Sequence, residues 1–573
     1  MSSWLLPGKR TVISTRFWLV FKAAMFSMMS AYLLILTDNV AAGQLVGEGA
    51  VMGITLVFPL VTFIIFMSYI IADGLVMKLS YAQGRGDRRQ VDRLFSMGVM
   101  LALVTGFLFT IGMYCFRDEL LSFWRISPQL LDFAGAYYDG LYLYAPFMFL
   151  NVFFYTVFVA EGQEQVCVIG AVCTFVVNFV LDIVLCLQIG VMGVGIASTS
   201  GLAASVVVQL YYLRGGRSRV HFCWYLNVKE VLWGIWYSCY HSMDTLLLAL
   251  LPVALSSCVL SHFGEAHIIV VTVVVNLLTL IVALYTGVVD CLQPMVCQYY
   301  AEQNLHSIQK TMDIGIKMTV FISLLVTVLG MALAEVLPLL FGVREQVMVQ
   351  ETAAAIRCFL LFTAFLGTTL MYSNYYIYIE KRNYGALVKL MLLLGLPYIG
   401  MQCGAAHSLN GMWLGTGGAF LAAWGLNYLL AGRSGWLFLD KEQLARQYSY
   451  DIDSVKEEVM EISRQVAEVL AARNIPSSRC MLLSLCVEEI GLHAAERAAG
   501  QNFQLEISLL LDRNPNGKIT LLVRDNGQPY DILKTAQSGS YSFREYFIES
   551  VTANLPYRRY LASGDENRLT LVI

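Results

Sequence analysis

Thr174–Thr199, TFVVNFVLDIVLCLQIGVMGVGIAST, is almost entirely apolar but contains Asn178 and Asp182. Because they are four residues apart, the two side chains share one face of a helix. A carboxylate inside a bilayer is costly and usually faces a bundle interior or a water-filled cavity, where it carries a proton, an ion or a substrate. The alternative interpretation is a cap on a helix end. The small residues of GVMGVG (190–195) allow two membrane helices to approach closely, so the stretch favours a transporter.

The composition sets the class of protein. Of the 573 residues, 57% are hydrophobic and only 14% are charged, and the mean hydropathy is +0.63. These values predict a mainly α, polytopic protein whose partner is a lipid bilayer. A formal net charge of −3, with no long Lys/Arg run, excludes a nucleic-acid partner. The 13 cysteines form no CxxC pair, which argues against a metal site or a disulfide framework.

Apolar runs of bilayer length predict about twelve transmembrane helices in two six-helix lobes. The predicted organisation is an N-terminal lobe (1–213), a basic connector (214–230), a C-terminal lobe (231–432), a linker (433–453) and a soluble α/β domain (454–573). Alternate loops carry the Lys and Arg residues. By the positive-inside rule, these loops and both termini are cytoplasmic in a multi-pass protein of the cell membrane.

The two lobes also look like parallel repeats. Residues 73–93 align with residues 290–310 without a gap, so Asp73 falls on Asp290 and Arg93 on Lys310. Paired lobes with a site within or between them are a plan of secondary transporters. Both aspartates lie toward the cytoplasmic ends of their predicted helices, so we expect them to be solvated there.

Several segments together resemble the multidrug and toxic compound extrusion (MATE) family over roughly residues 15–432. They are TDNVAAGQLVGEGAVMGITLVFPL (37–60), SYAQGRGDRRQVDRLF (80–95), AEGQEQ (160–165) and the 178–199 part of the opening stretch. The resemblance implies a two-lobed secondary antiporter that works by alternating access. It would exchange H⁺ or Na⁺ for an organic, lipophilic or cationic compound. No other cofactor is implied, and the chain would not be an enzyme.

The resemblance also implies the site residues. The cation site of the N-terminal lobe would comprise Asp38, Asn178, Asp182 and Ser198, with Thr199 beside it. Two desolvated carboxylates cannot both stay ionised, so binding H⁺ or Na⁺ would discharge the pair, and substrate would favour the ion-free state. For Asp38, which is near the end of its apolar run, a helix-end or loop position is the alternative.

The C-terminal lobe departs from the family pattern. Some members carry a glutamate in the seventh helix, whereas this chain has His241 and Asp244. The two form either a second proton site or a simple interfacial pair. Tyr138, Tyr142, Tyr144 and Met148 are of the types that suit an apolar substrate cavity, although such residues more often pack or face lipid.

The soluble domain resembles the ATPase-like (GHKL) domain of anti-sigma-factor serine kinases and histidine kinases. LSLCVEEIGLHAAERA (483–498) and VRDNGQPYDI (523–532) carry this resemblance, which implies nucleotide-binding positions at Glu488, Glu489, Asp525 and Gly527. His493 stands where the family has its Mg²⁺-binding asparagine, and no Gly-rich phosphate lid is found. We therefore expect weak or no ATP binding, and a regulatory module that a cytoplasmic protein could contact.

Two other function classes stay open. A flippase for a lipid-linked amphiphile would need a wide cationic lumen, and few intramembrane Lys or Arg residues are present. A multi-span sensor would need a His-bearing dimerisation helix before the ATPase-like fold, and none is found. An ATP-driven pump is less favoured than either, because the sequence contains no GxxxxGK[ST] motif.

Overall fold

The computed structural model describes residues 11–122, 128–215, 220–264, 267–340, 343, 345–432, 435, 437–452, 456–497, 503–514, 517–528, 530–531, 533, 543–563 and 566–573. Its N-terminal lobe is built from α1 (Val12–Leu45), α2 (Glu48–Arg85), α3 (Arg88–Cys115), α4 (Arg117–Ser122), α5 (Pro128–Gly140), α6 (Tyr144–Glu161), α7 (Glu164–Ile189) and α8 (Val191–Arg214).

The C-terminal lobe follows an extended connector at 220–227. Its helices are α9 (Val228–His241), α10 (Met243–His262), α11 (Ile268–Ala301), α12 (Leu305–Ala332), α13 (Val336–Leu340), α14 (Gln346–Leu360), α15 (Thr363–Tyr378), α16 (Arg382–Leu390), α17 (Leu396–Ala405) and α18 (Leu409–Ala431), with a π-helical segment (Met391–Gly395) between α16 and α17.

Each predicted apolar run falls on one of these helices or on two consecutive ones. Among the described residues, nine helical segments are long and apolar enough to cross a membrane, and α14 with α15 makes a tenth candidate, bent by 48°. Large apolar side chains such as Val176, Val180 and Leu187 are exposed on the helix surfaces, as expected of a surface that faces lipid. The chain is thus a multi-pass membrane protein.

The repeat alignment is matched by the helix boundaries. Asp87 caps α3 by accepting a hydrogen bond from Gln90 N, and Asn304, the aligned residue, caps α12 by accepting from Ser307 N. A capping carboxylate or amide at the same aligned position starts the third helix of each lobe at the same register. The helix boundaries therefore agree with the gapless alignment of Asp73 with Asp290.

The soluble domain is a two-layer α/β unit. Helices α20 (Lys456–Ala472) and α21 (Ser477–Arg497) pack on an antiparallel sheet of order β1-β2-β3-β5-β4. The strands are β1 (Gln447–Ile452), β2 (Leu505–Leu511), β3 (Ile519–Asp525), β4 (Tyr557–Ser563) and β5 (Glu566–Val572); short α19 (Lys441–Leu444) precedes β1, and α22 (Phe543–Thr552) precedes β4.

Strand β1 lies inside the segment 433–453 that the sequence predicts to be a linker. Its inward residues Tyr448, Tyr450 and Ile452 pack on the domain core, and it pairs along its whole length with β2. The linker prediction is therefore wrong for residues 447–452. Alternation of polar and tyrosine residues is a weak apolar signal, which is why the strand is hard to see in the sequence.

The sheet has two different faces. Alternate residues such as Ile507, Leu521 and Leu569 point to α20 and α21 and form the core. The residues between them are charged, notably Glu506, Arg524 and Arg568, and all three are buried. Because side chains alternate along a strand, this charged face must lie against another part of the molecule.

The charged face of the sheet lies against the end of the bundle that carries the loops 86–87, 302–304 and 379–381. It is here called the basic end after the nearby residues Arg85, Arg88, Lys310 and Lys381. On the N-terminal lobe, Arg16 Nη1 donates to Glu566 Oε2 at 2.8 Å. Arg568 Nη2 donates to the carbonyl of Gln83 at 3.0 Å. Thr15 Oγ1 donates to Gln504 Oε1 at 2.7 Å.

The same face binds the C-terminal lobe. Lys310 Nζ donates to Asp451 Oδ2 at 2.7 Å, and Arg524 Nη1 donates to Ser307 Oγ at 2.9 Å. Glu302, in the loop between α11 and α12, accepts from both Arg524 and Arg568. The domain therefore bridges the two lobes at the basic end.

Candidate functional site

The residues predicted from α1, α7 and α8 meet inside the N-terminal lobe. Asp38 Oδ1 accepts from Asn178 Nδ2 at 3.2 Å, and Asp38 Oδ2 accepts from Ser198 Oγ at 2.9 Å. Asn178 Nδ2 also lies 3.3 Å from Ser198 Oγ. Asp38 is 5% exposed and Asn178 is 0% exposed, so this is a dry polar cluster and not a helix end.

Asp182 completes the cluster. It lies next to Asp38, is 0% exposed, and neither of its oxygens has a hydrogen-bond partner among the described residues. Oδ1 of Asn178 likewise has no hydrogen-bond partner among the described residues. A buried oxygen without a donor is costly, so this group of oxygens is suited to receive a proton or a small cation.

Local packing places these side chains. Gly190, at φ +64°, ends α7 and allows α8 to turn back along it. At Gly201 on α8, a Cβ atom would lie 2.7 Å from the carbonyl of Thr174 and 3.1 Å from Cβ of Asn178. The missing side chain therefore lets α8 approach α7 beside Asn178.

Thr199 is placed differently from its neighbour Ser198. Its hydroxyl donates to the carbonyl of Gly195 at 3.0 Å and lies 3.3 Å from that of Gly140. Such bonds to a preceding turn satisfy a helix-embedded hydroxyl. Thr199 thus contacts the helix backbone and not the Asp38 carboxylate.

Asp38 and Ser198 line a cavity of about 210 Å³ in the N-terminal lobe. Of the four residues that the sequence suggests for a substrate cavity, Tyr144 and Met148 line it, whereas Tyr138 and Tyr142 are not among its lining residues. A polar patch missed by the sequence analysis lies on its wall, where Asn151 Oδ1 accepts from Ser205 Oγ at 2.7 Å and from Gln209 Nε2 at 3.1 Å. The other lining residues are Leu34, Ile54, Phe58, Val61, Ile65, Tyr69, Tyr137, Val152, Tyr155, Cys167, Ala171, Thr174, Phe175 and Leu202.

The secondary candidates in the C-terminal lobe flank the break between α9 and α10. His241 Nε2 lies 3.6 Å from Asp73 Oδ2, and Asp244 Oδ2 lies 3.4 Å from Lys389 Nζ. Lys389 also donates to the carbonyl of His241. Asp73 is 4% exposed and about 18 Å from the end of α2, so the expected helix-end solvation of Asp73 is wrong.

The predicted nucleotide positions are separated between α21, which bears Glu488 and Glu489, and the end of β3. Asp525 Oδ1 accepts from Gly527 N at 2.8 Å and from Asn567 Nδ2 at 2.9 Å. Burial raises the pKa of Asp525 despite these bonds. One carboxylate oxygen of this predicted nucleotide position is therefore hydrogen-bonded within the chain itself.

Among the described residues, no group of three or more His, Cys, Asp or Glu side chains has the geometry of a metal site.

Solved structures similar to this chain include an outward-facing multidrug resistance MATE family transporter of the MOP superfamily. It is 19% identical over 74% of this chain and 95% of its own, with a TM-score of 0.67.

Another similar structure is a MOP superfamily transporter from Pyrococcus furiosus, with 20% identity over 75% of this chain and 96% of its own and a TM-score of 0.67. A MATE structure described as bent has 19% identity over 73% of this chain and 94% of its own, and a TM-score of 0.67. At such identities these likenesses show the fold of the two lobes alone. No curated protein matches the sequence.

The match to a family model shows more than the solved structures do, because it identifies the family of the chain. The MatE family model matches residues 23–184 and 243–399, which is more than half of the chain and includes the helices that bear Asp38, Asn178 and Asp182. MATE homologues are transporters and not enzymes, in agreement with a site that has two neighbouring buried carboxylates, of which Asp38 lines a cavity. The chain belongs to the MatE family.

Proposed function

We propose that the protein is a cation-coupled antiporter that exports organic, lipophilic or cationic compounds. The observation that carries the proposal is the burial of Asp38 and Asp182 next to each other, with Asp38 at the wall of the 210 Å³ cavity. Two desolvated carboxylates need a compensating positive charge. That charge is H⁺ or Na⁺ in one state and the substrate in the other.

The cavity supports the choice of substrate class. Aromatic and thioether side chains, among them Tyr137, Tyr144 and Met148, line it beside Asp38. Aromatic faces attract cations and present apolar area. A lipophilic cation therefore fits this wall, and its charge would compete with the coupling ion for Asp38.

The lobe contacts support alternating access in the cell membrane. At the basic end, Arg16 Nη1 donates to Gln298 Oε1 at 2.9 Å, and Tyr81 OH donates to the carbonyl of Tyr378 at 2.5 Å. Both bonds join one lobe to the other. We assign the basic end, with both chain termini, to the cytoplasm by the positive-inside rule, so this conformation is closed toward the cytoplasm.

The test is efflux of a lipophilic cationic dye from vesicles under an imposed pH or Na⁺ gradient. We expect one gradient to drive efflux in the wild type, and Asp38→Asn or Asp182→Asn to abolish it. Asp132→Asn, which removes an exposed carboxylate of the same lobe, should leave efflux unchanged. Efflux that ignores both gradients and both site variants would reject the antiporter and favour the flippase or the sensor.

For the soluble domain, we propose a regulatory role that follows from its position. Its sheet binds Arg16 and Gln83 of one lobe and Glu302, Ser307 and Lys310 of the other. Opening the basic end would move these two sets of residues apart. The bound domain would therefore hold the basic end closed, and its release would permit transport.

The electrostatics support a firm attachment. Burial alone would raise the pKa of Glu506, but Arg524 and Lys310 outweigh it and hold the pKa below its usual value. Burial alone would lower the pKa of Arg524, but Glu506 and other acidic neighbours outweigh it and raise the pKa. The charged forms are thus favoured by their partners, and removing one partner leaves an uncompensated buried charge.

Glu302→Gln tests this role, because it removes the carboxylate shared by Arg524 and Arg568. Loss of one partner of a buried pair costs about 3–5 kcal/mol, so we expect the domain to detach and the efflux rate to rise severalfold. Arg464→Gln, on the exposed side of the same domain, is the control. Detachment without a change of efflux rate would show that the domain is not a regulator.

A further inference from the structure

A second cluster of ionisable side chains lies where the two lobes meet, away from the Asp38 site. Asp73 comes from α2 of the N-terminal lobe. His241, Asp244, Asp290 and Lys389 come from α9, α10, α11 and α16 of the C-terminal lobe. The cluster therefore joins five helices and both lobes.

The lobes touch closely at this point. A Cβ atom on Gly74 of α2 would lie 1.9 Å from the carbonyl oxygen of Gly234 of α9, so the two helix backbones are in contact. Gly74 N donates to Ser238 Oγ at 2.5 Å. Asp73 is 4% exposed and Lys389 is 0% exposed, so water has little access to the charges.

The two repeats contribute equivalent carboxylates. Asp73 and Asp290 occupy the same position of the gapless alignment, and both line one cavity of about 20 Å³ with Tyr69, Tyr155 and Gln293. A cavity of that size holds about one water molecule. The two carboxylates therefore face a common small space at the lobe interface, with Asp73 buried and Asp290 half-buried.

The charges in this cluster do not balance. Asp73, Asp244 and Asp290 are three acids, and Lys389 is one base. Even with His241 protonated, one negative charge remains. The other ionisable groups that face the cluster add no positive charge; they are Tyr69 on α2, Tyr155 on α6, Glu164 on α7, Cys291 on α11 and Tyr378 on α15.

The contacts of each group show which carboxylates lack a compensating positive charge. Lys389 Nζ lies 3.4 Å from Asp244 Oδ2 and donates to the carbonyl of Tyr240 at 3.3 Å, so Asp244 has its counter-charge. His241 faces Asp73 at 3.6 Å, and its Nδ1 has no hydrogen-bond partner among the described residues although His241 is 92% buried. The uncompensated negative charge therefore lies on Asp73 and Asp290.

We propose that Asp73 and Asp290 form a second proton site at the lobe interface, in which the two carboxylates share one proton while the basic end is closed. Two carboxylates in one desolvated space cannot both stay ionised. Opening the basic end would part Asp73 from His241 and admit water, and the proton would then leave. Proton binding at this site and closure of the basic end would thus be linked.

The test measures the proton directly in the full-length protein in detergent. Infrared difference spectra, taken as the pH is raised, report the C=O stretch of protonated carboxyl groups. We expect the wild type to show a band that Asp73→Asn and Asp290→Asn both lose, with about one proton fewer bound per chain. Asp38→Asn should keep this band, and Asp132→Asn should match the wild type.

A second measurement records whether the basic end is open or closed. Spin labels at Arg89, exposed in the first turn of α3, and at Glu380, exposed in the loop between α15 and α16, report their separation after the exposed cysteines are replaced. In the wild type the separated population should grow as the pH rises, and in Asp73→Asn it should not respond. Spectra that are identical in wild type and both variants, or a separation that ignores pH in the wild type, would overturn the proposal.

The proposal deepens the proposed antiport function, because release of the proton requires the lobes to open. Its experiments do not need a transported substrate. Loss of dye efflux in Asp38→Asn with an intact Asp73–Asp290 band would support both sites. If Asp38→Asn shows wild-type dye efflux and that band is intact, the Asp38 site would be rejected and the Asp73–Asp290 site retained.

Discussion

Ser198 and Thr199 are neighbours in the chain and differ in what they bind. Ser198 Oγ donates to Asp38 Oδ2, whereas Thr199 donates to helix carbonyls. A hydrogen bond to a charged group contributes about 1.5–3 kcal/mol. Only Ser198 therefore acts on the proposed cation site.

We expect Ser198→Ala to change the apparent affinity for the coupling ion by about tenfold or more, since 1.4 kcal/mol corresponds to a factor of ten. Thr199→Val should leave the affinity within about twofold. The measurement is the half-saturating H⁺ or Na⁺ concentration for dye efflux. Equal effects of the two substitutions would contradict the assigned geometry.

At the residue scale, the sequence predicted the site residues that belong to a family motif or that place a polar or charged group inside an apolar run. Asn178 and Asp182 were identified as polar residues within an apolar run, and Asp38 and Ser198 through the family resemblance. The structure brings the four together. Asn151 and Gln209 were not identified, because single amides within apolar runs resemble ordinary helix–helix contacts. Lys389 was missed because, near the start of its apolar run, it looks like a residue that reaches out of the membrane.

Among the elements, α2 and α9 form the closest contact between the lobes. The contact depends on Gly74, where the Gly234 carbonyl occupies the place of a side chain. Small residues at such crossings allow backbones to approach. The closed basic end therefore depends on a glycine as well as on charge.

We expect Gly74→Ala to push α2 from α9 and to destabilise the closed conformation by about 1–3 kcal/mol or more, the usual cost of overpacking. Thermal unfolding in detergent should begin at a lower temperature, and the Arg89–Glu380 label separation should increase. Gly112→Ala on α3, where the added Cβ has no neighbour within 4 Å, should change neither. A wild-type label separation in Gly74→Ala would contradict the assigned role.

The charged face of the sheet gives a pH dependence with a defined sign. Partners hold the pKa of Glu506 below its usual 4.5. A group with a lowered folded-state pKa contributes stability that is fully present above the unfolded value and is lost as the pH falls through the folded value. Attachment of the domain through Glu506 should thus persist at neutral and mildly acidic pH and weaken below about 4.5.

Spin labels at Glu461 on α20 and Arg89 on the N-terminal lobe would follow this attachment. Their separation should stay constant from pH 7 to about pH 5 and broaden only in stronger acid. Detachment between pH 7 and about pH 5 would show that another group controls the attachment.

Helix periodicity predicted the membrane elements well, because a bilayer demands long apolar helices. Strand β1 was missed, since half of its residues are polar and meet the lobes: Gln447 Nε2 donates to the carbonyl of Gln303 at 2.7 Å. Its polar side is explained only by a partner that is distant in sequence.

For the whole molecule, the two lobes and the soluble domain form one connected system. The two halves of the repeat meet at Asp73 and Asp290, and the sheet joins the lobes through Arg568, which donates to Glu302 of one lobe and to the carbonyl of Gln83 of the other. The repeat was visible in the sequence as an alignment without gaps. The bridge by the sheet was not, because contacts between residues hundreds of positions apart leave no local pattern.

The central claim is that substrate and coupling ion exclude each other at Asp38 and Asp182. The most direct measurement adds tetraphenylphosphonium, a lipophilic cation, to purified full-length protein in weakly buffered detergent and records the release of protons, or of Na⁺ with a Na⁺ indicator. We expect about one ion per chain from the wild type and none from Asp38→Asn, with Asp132→Asn behaving as the wild type. Tetraphenylphosphonium binding that releases no ion, or the same release from Asp38→Asn, would contradict the account.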